Sequence, residues 1–130
     1  MIKDLSVNPN GSGLRYENCP VLTLTNNAGK EFYLTPFRGY RFQVSKTYSG
    51  QGYVASAVTN TEMYKLAHLD MLGHDMLKLM AIESCKKAGL YFDNNDIPSL
   101  NRFIEMSMKF LIKNEEHIKE DNPVYTFYTE

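Results

Sequence analysis

The stretch TEMYKLAHLDMLGHDMLKLMAIESCKKA, Thr61 to Ala88, decides how this chain reads. On a wheel of about 100° per residue, Leu66, Leu69, Leu72, Gly73, Met76, Leu77, Leu79 and Met80 share one broad face, while Tyr64, Met71 and Ile82 make a second, narrower stripe. A surface helix of a monomer has one apolar face and one wet face; this segment has nearly two. An unbroken helix of this span would be roughly 40 Å long, whereas a compact chain of this size has a radius of gyration of about 14 Å. The expectation is self-association, a homodimer or higher homo-oligomer formed through Tyr64, Leu69, Met71, Leu72, Met76, Leu79, Met80 and Ile82. The competing expectation is a break at Gly73 that returns both stripes to a single subunit.

The flanks of this segment set the rest of the order. Thr59 with Glu62 three residues on has the form of a capping box, and Gly89 after Lys86-Lys87 has the form of a helix stop. A short connection from Leu90 to Asp96 then leads into a second helix opened by Asp96 and Pro98, with the stripe Leu100, Phe103, Ile104, Ser107, Phe110, Leu111 and Ile118. Asp121-Asn122-Pro123 breaks it, and Val124 to Thr129 reads as a final strand able to join a sheet edge.

Upstream the period changes from helical to alternating. Ile2 to Val7 reads as a first strand, followed by the loop Asn8-Pro9-Asn10-Gly11-Ser12-Gly13. Val21 to Thr25 and Glu31 to Thr35 flank Asn26-Asn27-Ala28-Gly29-Lys30, the pattern of a β-hairpin. Pro36 is expected to end it. From Tyr40 to Tyr48 the residues alternate, with Tyr40, Phe42 and Val44 on a packing face and Arg41, Gln43, Ser45 and Thr47 toward solvent or a ligand. Ser49 to Gly52 makes the turn, and Tyr53 to Val58 completes a second hairpin. The expected class is α+β: one domain over residues 1–130, with an antiparallel sheet of about four to six strands, a two-helix hairpin covering it and a C-terminal strand.

Composition narrows the function classes. A chain of 130 residues can bury a core without disulfides or a structural metal. With 14 basic and 15 acidic residues the net charge is −1, so no overall pull toward nucleic acid or an anionic membrane is expected. No apolar run of membrane-spanning length and no secretory leader are read, which gives a cytoplasmic expectation. Cys19, read as lying in a loop, and Cys85, near the end of the first helix, are expected to be ordinary reduced thiols. The histidines His68, His74 and His117 show no paired ligand spacing, so neither a metal nor another cofactor is expected.

Three possible sites remain. Asp70 and His74 are an i, i+4 pair, and His68 shares a helical stripe with Asp75; a histidine held by a carboxylate could act as a general base in a small hydrolase or transferase. No nucleophile motif accompanies them, neither a metalloprotease histidine pair nor a serine elbow, and no catalytic residue is assigned. Arg38, Arg41 and Lys46 are interleaved with Phe37, Tyr40, Phe42 and Tyr48, so Arg38, Tyr40, Arg41, Lys46 and Tyr48 form a candidate site for a nucleotide or single-stranded nucleic acid. Met63, Met71, Met76, Met80, Met106 and Met108 all lie in the helical half, as core filler or as an adaptable contact surface. The favoured function is a non-catalytic binding protein acting as a homo-oligomer, suited to inhibiting or regulating a protein target.

Overall fold

Strands β1 (Ile2–Asn8), β2 (Cys19–Thr25), β3 (Glu31–Phe37), β4 (Arg41–Ser45) and β5 (Tyr53–Ser56) form one antiparallel sheet in the order β1-β2-β3-β4-β5. The computed structural model describes residues 1–10, 17–37, 41–57 and 73–114, and only the backbone of 37 and 41. The expected capping box at Thr59 and Glu62, the end of the second helical stripe at Ile118, the break at 121–123 and the final strand at 124–129 lie outside these residues. Among the described residues, two helices and the sheet make an α+β fold, and no helix is long and apolar enough to cross a membrane.

The first hairpin forms as its connector requires. Asn26 Oδ1 accepts hydrogen bonds from the Ala28 and Lys30 amides at 2.9 and 3.0 Å, and Gly29 supplies φ +80, a backbone state that glycine reaches without a β-carbon clash. The registers Leu5↔Leu22, Leu22↔Leu34, Leu34↔Val44 and Val44↔Ala55 align one apolar row across all five strands.

Several boundaries differ from the sequence reading. Pro36 does not end the hairpin but pairs with Phe42 inside β3; proline suits extended backbone, and next to the strand end its missing N–H removes at most one ladder bond. Cys19 is not in a loop: it opens β2, paired with Asn8. The strand expected from Tyr40 to Tyr48 stops at Ser45, where Lys46 and Thr47 turn back through bonds to Gly52 and Gln51. The last strand ends at Ser56, because the Ala57 amide donates to Ser84 Oγ at 2.9 Å instead of to a ladder. Gln43 and Ser45, expected to face solvent, are buried together with Val21, Thr23 and Thr35. The β4–β5 connection accounts for part of this: Gln43 Nε2 donates to Gly50 O at 2.7 Å, and Ser45 Oγ to Thr47 O at 3.0 Å.

The long rod is corrected as well. Helix α1 spans His74–Lys87, and Gly73 before it is extended, with φ −78 and ψ −178, so no helix runs unbroken from 61 to 88. Glycine is accepted at a helix N-cap, and the Gly73 carbonyl takes the first helical bond, from the Leu77 amide at 3.2 Å. Leu77, Met80, Ala81, Ser84 and Cys85 are buried on one stripe, which packs over β4 and β5. At the other end Gly89, with φ +74, completes a paired C-cap: the Leu90 amide donates to Cys85 O at 2.8 Å and the Gly89 amide to Lys86 O at 3.0 Å. The expected stop is where the sequence places it.

A 3₁₀ turn at Asn94–Asp96 then leads into helix α2 (Ile97–Lys113). Asp96, at the entry to this helix, ties the turn to the sheet: its carboxylate accepts from the Asp93 amide at 3.0 Å and from the Ile2 amide of β1 at 3.1 Å. The buried set on α2 is Leu100, Phe103, Ile104, Ser107, Phe110 and Leu111, the expected stripe within the described residues. Phe103 stacks at a tilt on Phe42, ring centres 5.7 Å apart, in a core shared with Leu22, Leu34, Leu77 and Met80. Ser107 Oγ is buried there without a hydrogen-bond partner. Ser107→Ala should therefore raise stability by about 1 kcal/mol, measured by urea unfolding, since an orphaned hydroxyl carries a desolvation penalty with nothing to offset it.

Candidate docking groove

A concavity lies where the β1–β2 pair meets the C-terminal half of α2. Register places Val7 of β1 opposite Pro20 of β2, and helical spacing places Met106 and Phe110 one turn apart on α2. These four side chains line a largely apolar groove of ≈ 230 Å³ whose rim carries Glu17, Asn18, Lys109 and Lys113. Asn18 holds φ +60 as the chain enters β2, a left-handed state that asparagine tolerates better than most residues. Val7 is 44% exposed, an uncovered apolar side chain at the groove's mouth. Small-molecule and cofactor sites run from about 300 to 1,000 Å³, so this volume suits an inserted side chain better than a nucleotide.

Lys109 and Lys113 are exposed, and neither is in an ion pair among the described residues. Four apart on a helix, they repel one another. Among the described lining residues the rim therefore carries two cations and one carboxylate, in a chain whose net charge is −1.

Of the five residues of the basic-aromatic candidate site, the side chains of Lys46 and Tyr48 are described. Arg38, Tyr40 and the Arg41 side chain lie outside the described residues. Lys46 is exposed. Tyr48 meets Tyr33 edge-on with ring centres 5.9 Å apart, and its hydroxyl is 2.8 Å from Ser6 Oγ. Beside it Tyr33 donates to Glu31, which also pairs with Lys3. Hydrogen bonding to Lys3 and Tyr33 holds the Glu31 carboxyl below its usual range, Glu31 raises Lys3, and burial pushes the Tyr33 phenol up.

Of the residues expected at a self-association surface, Tyr64, Leu69, Met71 and Leu72 lie outside the described residues. Met80 is 1% exposed and belongs to the chain's own core; Met76 and Ile82 rest partly buried against that core, and Leu79 is 55% exposed. For the enzyme reading, His68 and Asp70 fall outside the described residues, while His74 Nε2 lies 3.3 Å from the Asn101 carbonyl. No group of three or more metal-ligating side chains occurs among the described residues.

Neither cysteine is in a disulfide, and both are buried. Burial pushes the Cys85 thiol up to about 12, the wrong direction for a nucleophile. In native protein at mildly alkaline pH, Ellman's reagent should label neither cysteine until urea unfolds the chain; rapid labelling of folded protein would contradict this burial. Because the folded value is raised, the associated stability is present below the unfolded thiol's ordinary value near 9 and is lost as pH rises toward about 12.

The groove had no single sequence signal. Phe110 was legible in the stripe of the second helix and Met106 only as one of the methionines of the helical half, while Val7 and Pro20 join them through the strand register. No known family model, curated protein or solved structure matches the chain.

Proposed function

We propose that this is a non-catalytic binding protein that docks another protein through the groove between β1, β2 and α2, in keeping with an inhibitor or regulator of a protein target. The observation that carries this reading is an open apolar groove with Val7 uncovered at its mouth and Met106 and Phe110 along one wall. Interfaces concentrate their energy in a few bulky side chains seated in such pockets, with a polar rim excluding water around them. The histidine-based hydrolase or transferase read as an alternative has less support, since His74 sits against a backbone carbonyl.

The test is native mass spectrometry of tagged protein isolated gently from its own cells, beside the double variant Val7→Asp, Met106→Asp. The expected result is a stoichiometric protein partner on the wild type that is absent from a folded variant. A chain that emerges alone in both forms, or a partner retained equally by both, refutes the reading.

Self-association through α1 is the second reading, favoured by Leu79 standing out between Met76 and Ile82. A stable dimer buries about 800 Å² per partner, more than one leucine and its neighbours supply, so residues beyond this patch would have to contribute. Sedimentation of the wild type and Leu79→Glu across micromolar concentrations decides it: a dimer that Leu79→Glu dissociates supports it, and a monomer throughout refutes it.

A further inference from the structure

Resting on the groove reading, we infer that the occupant is an acidic peptide segment of the partner, with a leucine, isoleucine, methionine or phenylalanine inserted over Met106 and Phe110 and carboxylates meeting Lys109 and Lys113. Two features select this chemistry over other docking segments. The groove floor is apolar, and its volume of ≈ 230 Å³ suits one anchoring side chain rather than a ring system with phosphates.

The flanking charge is the second feature. Lys109 and Lys113 lie one turn apart along the wall that carries Met106 and Phe110, both exposed and without an ion pair among the described residues. Lys113 is also in the last turn of α2, where the helix dipole favours a cation; Lys109 follows the exposed Glu105 by four residues but makes no ion pair with it among the described residues. An incoming carboxylate relieves their mutual repulsion and gains complementary charge, which sets orientation and speeds encounter. Among the described lining residues Glu17 is the one acidic side chain; it opposes an acidic ligand weakly, so removing its charge should tighten binding.

Selection from a random peptide library displayed on phage tests the inference directly, with wild-type protein as bait. The expected outcome is enrichment of peptides that place aspartate or glutamate beside a bulky apolar residue. Their affinity should fall by about tenfold or more in Lys109→Glu, Lys113→Glu, fall less in Lys109→Gln, Lys113→Gln, weaken with added salt, and rise in Glu17→Gln. Thermal unfolding of each variant, all on exposed side chains, separates lost binding from lost fold. If the enriched peptides are basic or uncharged yet are lost on Val7→Asp, the acidic assignment is overturned while the groove reading survives. If no peptide is sensitive to either the lysine or the Val7 variants, both are overturned.

Discussion

Phe103→Ala should lower the unfolding free energy by about 3–5 kcal/mol, the range for truncating a buried phenylalanine. Phe103 is fully buried, touches Phe42 from β4, and stands at the middle of the buried α2 stripe. No neighbour on a rigid sheet can fill the space, so the lost contacts add to the lost transfer free energy. A domain of this kind holds about 5–15 kcal/mol in all, which would leave the variant marginal at ambient temperature. Ile112→Ala on the same helix is the control: Ile112 is 58% exposed, and the change should stay within about 0.5 kcal/mol. Urea unfolding of the three proteins checks both values, and equal losses for the two variants would mean that α2 is rotated from the orientation described.

Asp96→Ala should cost about 3 kcal/mol, from two hydrogen bonds to a carboxylate worth about 1.5–3 kcal/mol each, less partial rehydration of the amides left behind. Asp96 is only 5% exposed and joins parts of the chain far apart in sequence, since its two oxygens hold the Asp93 amide before α2 and the Ile2 amide at the start of β1. The loss should have a local signature beyond its size: amide exchange at Ile2 and Asp93 should accelerate more than exchange at Leu22 or Leu34 in the centre of the sheet. Asp96→Asn, which keeps one acceptor oxygen, should fall between the variant and the wild type. A loss under about 0.5 kcal/mol would show that the clamp contributes nothing in solution.

These two residues also mark what the sequence could and could not convey. The α2 stripe was legible because all six of its buried residues in the described helix follow the helical period, and a period survives whatever lies on the other side of the core. The first hairpin was legible because Asn26 and Gly29 have turn geometry of their own. Asp96 was legible as part of a helix start, but its bond to Ile2 depends on where β1 ends in space. Gly73 misled for a related reason: Met76, Leu77 and Met80 continue the apolar spacing of Leu66, Leu69 and Leu72 in the sequence, so periodicity alone gives no sign that Gly73 is extended.

The buried polar face of the sheet was hidden differently. Thr23, Thr35, Gln43 and Ser45 alternate with apolar residues as a wet face would, and only the turn that brings Gly50 over Gln43 and Tyr48 over Tyr33 removes part of it from water. The candidate groove needs three elements at once, with Val7 from β1, Pro20 from β2, and Met106 and Phe110 from α2. No local window of sequence contains them.

The most direct test of the groove as an acceptor for an apolar side chain is a ¹⁵N heteronuclear NMR titration with N-acetyl-leucine amide. The account predicts saturable shifts confined to amides around Val7, Asn18, Met106, Lys109 and Phe110, absent in Val7→Asp. Shifts that never saturate, or that centre on Leu79 and the outer side of α1 instead, would contradict it.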